Sequence, residues 1–256
     1  MKKERIRYYN SFDDDFEIAR DQNFKLPEDY KWIKRDFISK ALSFLVYTAA
    51  LIFSSVYNRF VLHITFSNRK VLRSVKRGGY FLYCNHTQPI GDVFTPALAV
   101  FPKRIYTVVS PANFSIPVIG KILTYLGALP IPDSISKMKE FNRAIQVRIE
   151  ENKCIVIYPE AHVWEYCTQI RPFPDTSFKY PVLLNKPAFA ITSTYKKSKL
   201  FKRPITKVYI DGPFYPDTTL NAKKQKEQLH SKIVSVMQKR SKESNFSYYN
   251  YEKIPQ

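Results

Sequence analysis

The chain has 256 residues, 45% apolar and 15% aromatic, with a formal net charge of +19. That length and apolar content support one large domain, or a domain with an appendage, and exclude an intrinsically disordered chain. So strong a positive field attracts polyanions, either nucleic acid or an anionic membrane face, and charge alone does not choose between them.

Residues 1–36 are polar, with Asp13, Asp14 and Asp15 beside tyrosines and arginines, and read as a surface segment or short helices. They are not expected to act as a signal peptide, because the apolar stretch begins only near residue 37. Residues 41–58 then run for 18 positions without a charge. As a helix they would extend about 27 Å, marginal against a hydrocarbon core of about 30 Å. Basic residues flank both ends: Lys34, Arg35 and Lys40 before, Arg59, Arg69, Lys70 and Arg73 after. A spanning helix should favour one flank, so a bent helix or hairpin lying in one leaflet fits better. The alternative is a buried helix of a soluble core. The expected division is 1–58, a polar segment with a membrane anchor, and 59–256, the globular domain.

From there the pattern alternates. Strands are expected at 61–66, 80–84, 105–109, 129–131, 154–158, 188–194 and 207–211, and helices at 92–100, 116–126, 136–151 and about 218–241. The helix over 136–151 carries Met138, Phe141, Ile145 and Ile149 on one stripe. Such alternation implies an α/β fold, a sheet covered by helices on both faces.

The chemistry gathers after the strand at 80–84. That strand breaks into Asn85-His86-Thr87-Gln88-Pro89-Ile90-Gly91-Asp92, and Asp92 opens the next apolar run. An aspartate there suits a helix start, capping free N–H groups. It also places a carboxylate behind an imidazole, which makes His86 a candidate general base. A lone histidine at a strand end is ordinarily a polar loop residue, and Asp92 is ordinarily a cap; both readings stay open on these residues alone. Glu160 leaves another apolar strand through Pro159, on the side where open α/β sheets bind ligands. Six glycines without GxGxxG or GxxxxGKS/T spacing argue against dinucleotide and P-loop sites, and no G-x-S-x-G is present. Cys84, Cys154 and Cys167 show no CxxC or metal-ligand spacing and suit a reducing cytoplasm.

Asn85-His86 followed by Asp92 resembles the first block of the glycerolipid acyltransferase family, which includes lysophosphatidic acid acyltransferases. Ile155-Val156-Ile157-Tyr158-Pro159-Glu160 resembles its Phe-Pro-Glu-Gly block. Gly127-Ala128-Leu129-Pro130-Ile131 and Lys186-Pro187-Ala188-Phe189-Ala190-Ile191 are weaker likenesses, and all four stand in family order. The resemblance implies a mixed α/β sheet flanked by helices, with an N-terminal membrane-associated helical segment. It implies acyl transfer to a lysolipid hydroxyl, lysophosphatidic acid giving phosphatidic acid. The co-substrate would be acyl-CoA or acyl carrier protein, with no further cofactor and no metal. It implies work on an anionic membrane surface at its cytoplasmic face, with His86 and Asp92 catalytic.

Two departures stand out. Five residues separate His86 from Asp92 where the family usually has four, a difference that Pro89 and Gly91 can absorb in a looped turn. Where the family reads Glu-Gly-Thr-Arg, this chain reads Glu160-Ala161-His162-Val163, and no arginine follows Gly127 through Lys137. The family uses those arginines for the acceptor's phosphate, so the acceptor is the open question. The candidates for substrate binding are Asn85, Pro159, Glu160, His162, Arg171 and Lys179. The basic run 196–203 reads as a solvated loop or a contact for anionic headgroups. It would equally serve nucleic acid, but no RNP-type, KH-type or helix-turn-helix pattern accompanies it, so no nucleic acid is expected. The competing function classes are a lipid or thioester hydrolase with the same base, and a basic binding protein without catalysis.

Overall fold

The computed structural model describes residues 5–17, 21–88, 90–200 and 203–255; Pro89, Phe201 and Lys202 lie outside the described residues. In chain order the elements are β1 (Ile6–Tyr9), α1 (Phe37–Tyr57), β2 (Thr65–Ser67), β3 (Tyr80–Cys84), α2 (Gly91–Val100) and β4 (Ile105–Val109). There follow α3 (Ile119–Leu126), β5 (Ala128–Pro130), α4 (Ile135–Glu150), β6 (Cys154–Ile157) and α5 (Lys179–Leu183). The last are β7 (Ala188–Lys196), β8 (Ile205–Phe214), α6 (Ala222–Ser241) and β9 (Asn250–Lys253).

Seven strands form one sheet in the order β2-β8-β7-β3-β6-β4-β5. Every pairing is parallel except β7 with β8, so the sheet is mixed. β3 lies between β7 and β6, and all five of its residues are buried. A strand covered on both faces can be apolar throughout, and its alternation sorts side chains between two cores. Phe81 and Tyr83 join α4 and α6 through Phe141, Ile145, Leu229 and Ile233. Tyr80, Leu82 and Cys84 face Ala97, Ala99 and Val100 of α2.

Three sequence expectations change. The strand expected at 61–66 is only Thr65–Ser67, because the preceding helix runs on through a π turn, Asn58–Leu62, until His63 turns left-handed at φ 48°. The helix expected from 116 begins at Ile119, after Pro117 and a left-handed Val118. The polar N-terminal segment is not an appendage: Leu26 and Trp32 are buried in the Phe81 core, and Trp32 Nε1 donates to the Pro130 carbonyl at 2.9 Å. β1 pairs in parallel with β9, joining the two ends of the chain. The division at residue 58 therefore follows chain order but not packing.

α1 is capped by Asp36, whose side chain accepts from Ser39 N at 2.7 Å. One of its sides meets the domain: Ser43 Oγ donates to the Tyr125 carbonyl, Tyr47 Oη accepts from Ile105 N, and the Phe53 and Phe94 rings lie 5.9 Å apart. The other side leaves Phe37, Ile38, Phe44, Leu45, Ile52 and Val56 exposed. Only 6% of its most apolar window is buried, which rules out the core-helix alternative.

Candidate active site

Because β3, β6 and β7 run parallel, their carboxyl ends share one edge of the sheet. Asn85 and His86 leave β3 there, and Pro159 and Glu160 leave β6 beside them. Asn85 was expected to touch substrate, but it is 2% exposed and pairs wholly with the chain: Nδ2 donates to the Ser193 carbonyl at 3.1 Å, and Oδ1 accepts from Ser193 N at 2.8 Å. Its amide thus continues the β3–β7 ladder by one position and fixes where His86 emerges.

His86 Nδ1 lies 2.9 Å from Asp92 Oδ2. The same oxygen accepts from Thr87 N at 2.8 Å and Gln88 N at 2.9 Å. The carboxylate therefore caps the loop that leads into α2, and its helix starts one residue earlier, at Gly91. A carboxylate oxygen only accepts, so Nδ1 must carry the hydrogen, which leaves Nε2 with the lone pair. The His86 side chain is 20% exposed against 4% for Asp92: an open imidazole backed by a buried carboxylate.

The loop between them is anchored from β7 and β8. Thr87 Oγ1 lies 2.6 Å from Tyr195 Oη, and Gln88 Nε2 donates to Thr206 Oγ1 at 2.8 Å. An added Cβ at Gly91 would stand 2.2 Å from Gln88 Oε1, so a side chain there would push the Gln88 amide away from Thr206. The described residues that flank Pro89, Thr87 and Gln88 before it and Gly91 after it, are thus packed against one another and against the sheet.

Glu160 stands at the strand exit where it is expected, but it and Arg171 are paired with each other instead of facing substrate. Glu160 is 5% exposed and Arg171 is 2% exposed. Glu160 Oε2 accepts from His86 N at 3.1 Å and from Arg171 Nη2 at 3.0 Å, while Oε1 accepts from Arg171 N at 3.1 Å. Arg171 also donates to the carbonyls of His162 and Phe12, and its guanidinium stacks over Trp164. A cation so committed cannot also hold an acceptor's phosphate. The pair instead clamps the main chain of His86 to the 160–171 loop. Burial pushes the Glu160 carboxyl above its usual range, against the opposing pull of Arg171 and the two N–H donors. Trp164 N and Tyr166 N complete the clamp, donating to the carbonyls of His86 and Thr87 at 3.0 and 2.8 Å.

His162 stands on the open side of this loop, with Nδ1 3.3 Å from Asp15 Oδ2. Pro159 is half-buried between Tyr158 and Glu160. Lys179 opens α5 and places its ammonium 5.1 Å from the Tyr180 ring centroid, on the side of the sheet away from α2. The acidic N-terminal segment, given no role by the sequence, covers the loop: Tyr9, Phe12 and Phe16 pack on Trp164, whose Nε1 donates to the Asp14 carbonyl at 2.8 Å. Sequence reasoning missed Thr87, Gln88, Tyr195 and Thr206, whose pairings join residues more than a hundred positions apart.

A family model described as Acyltransferase matches residues 63–192, which include the β3–α2 loop and the whole 160–171 loop. No curated protein matches the sequence. Among solved structures, the chain is similar to the 1-acyl-sn-glycerophosphate (LPA) acyltransferase PlsC from Thermotoga maritima. The two are 12% identical and superpose with a TM-score of 0.57, over 82% of this chain and 84% of that one. At that identity the likeness concerns the fold. The family match spans half of the chain and contains the His86–Asp92 pair, and by it the chain belongs to the acyltransferase family.

Proposed function

We propose that this chain transfers a fatty acyl group from an acyl thioester, acyl-CoA or acyl carrier protein, to a hydroxyl of a lysophospholipid at a membrane surface. Lysophosphatidic acid is the acceptor proposed. The observation that carries this reading is the 2.9 Å contact of His86 Nδ1 with Asp92, inside the family-matched segment. Nε2 takes the proton of the acceptor hydroxyl as its oxygen bonds to the acyl carbon. The C–S bond then breaks, and the departing thiolate recovers that proton from the imidazolium. Asp92 holds the ring in the required tautomer. Glu160, with Arg171 behind it, holds the main chain of His86. His162, Pro159 and Lys179 remain the proposed contacts for substrate. No acyl-cysteine is invoked: burial and the nearby Asp92 carboxylate push the Cys84 thiol well above its ordinary range, which keeps it from acting as a thiolate.

Thiol release from acyl-CoA, followed with and without lysophosphatidic acid in vesicles, tests this. Release that depends on the acceptor supports transfer. Release of equal rate without it makes the chain a thioester hydrolase, and no release under either condition removes the proposal. Dependence on another lysolipid alone would change the acceptor and leave the reaction standing.

The exposed side of α1 supports work at a membrane, with the helix lying along the domain in one leaflet. Phe44, Leu45 and Ile52 are 67%, 64% and 64% exposed, so changing them leaves the core intact. Burying each in lipid contributes about 2 kcal/mol, so the triple change to serine should weaken vesicle partitioning by well over about a hundredfold. Co-sedimentation with anionic vesicles measures it; unchanged sedimentation would remove the anchoring role of α1.

A further inference from the structure

Tyr158 follows the last residue of β6, Ile157, and precedes Pro159-Glu160, and its side chain reaches across the edge of the sheet into the His86–Asp92 pair. Its ring stacks on the His86 imidazole with centroids 4.3 Å apart and planes 26° apart. Its hydroxyl donates to the main-chain carbonyl of Asp92 at 2.5 Å. The helical donor for that carbonyl would be the N–H four residues on. That residue is Pro96, inside α2, which has no N–H and whose ring crowds the carbonyl four residues back. A carbonyl at a buried residue without a donor is costly. The Tyr158 hydroxyl supplies the missing donor.

We infer that Tyr158 is a positioning residue for the catalytic pair: its hydroxyl replaces the helical hydrogen bond that Pro96 removes from Asp92, and its ring sets the plane of His86. The inference rests on His86 being the base of the proposed acyl transfer. One side chain thus contacts both members of the pair, the histidine by its face and the aspartate through its main chain. A small rotation of the first turn of α2 would swing the carboxylate away from Nδ1, and misplacement of that kind lowers the rate without changing what binds. The hydroxyl is itself held neutral, since burial with Asp92 and Cys84 nearby raises it well above the ordinary tyrosine range.

The test is a cycle with Pro96. Tyr158→Phe keeps the ring and loses the donor, so kcat should fall about fivefold, the rate equivalent of one hydrogen bond. The KM values of thioester and acceptor should both stay within about twofold. Pro96→Ala returns an N–H to position 96, and in that background Tyr158→Phe should change kcat by less than about twofold. An equal loss in both backgrounds, a loss confined to KM, or wild-type kcat in Tyr158→Phe overturns the inference. If Tyr158→Phe alone does not fold, the double variant decides: near wild-type kcat supports the inference and an inactive, folded or unfolded, double variant overturns it. His86→Ala is assayed in parallel. An active His86→Ala removes the base and this inference together, whereas an inactive His86→Ala beside a fully active Tyr158→Phe removes this inference alone.

Discussion

His86→Ala is expected to lower acyl transfer by about 10²–10⁴-fold, the usual worth of general-base assistance. The side chain sits just past the carboxyl end of β3 with its outer part open, and among the described residues its hydrogen bond is the one to Asp92. Its loss should leave the thermal midpoint and vesicle binding close to wild type, because the fold of the turn depends on main-chain groups of residues 86–88 that alanine retains. Asp92→Asn should be damaging in a different way. The amide would present donors as well as an acceptor to a site where Nδ1–H, Thr87 N and Gln88 N all need to donate. Steady-state thiol release with the thermal midpoint measured on the same samples is the check. A His86→Ala protein with transfer near wild type would end the mechanism.

Arg171→Ala is expected to cost about 3–5 kcal/mol, since removing one partner of a buried ion pair strands the other. Neither side chain is more than 2% exposed, and Glu160 would keep only N–H donors. For a chain of this size that corresponds to a fall of about 6–20 °C in the thermal midpoint. The pH dependence has a definite sign. Burial already raises the Glu160 carboxyl, and loss of Arg171 removes the largest opposing influence. A raised carboxyl makes the folded state bind the proton more tightly than the unfolded one. Its contribution is therefore most favourable below the unfolded value of 4.5 and is lost as pH rises through the raised folded value. The deficit of Arg171→Ala should accordingly be smallest in acid and grow toward neutral pH. Replacing both partners by apolar residues, Glu160→Leu with Arg171→Met, should recover much of the stability. It should not recover turnover, because the His86 main-chain N–H would still lack its acceptor. Chemical denaturation across pH, paired with turnover, separates the two effects. A double variant as active as wild type would show that the clamp serves stability alone.

The sequence by itself determined what is local or periodic. Apolar runs and their alternation located β3, β6 and β7, and the stripe through Phe141, Ile145 and Ile149 located α4. His86 and Asp92 are six residues apart, so a single turn brings them together, and their pairing was legible without the fold. The charge-free run at 41–58 identified α1, though only the packed structure shows that its apolar side is left uncovered. Tertiary structure decided everything that depends on which strands become neighbours. Asn85 reads as a substrate ligand until β7 brings Ser193 beside it, and Arg171 reads as a free cation until the 160–171 loop folds it onto Glu160. The N-terminal segment looked unattached because parallel pairing of β1 with β9 joins residues at opposite ends of the chain. Periodicity tells which side chains leave water, but a buried polar group is defined by the partner it finds, and that partner is chosen by the order of strands in the sheet.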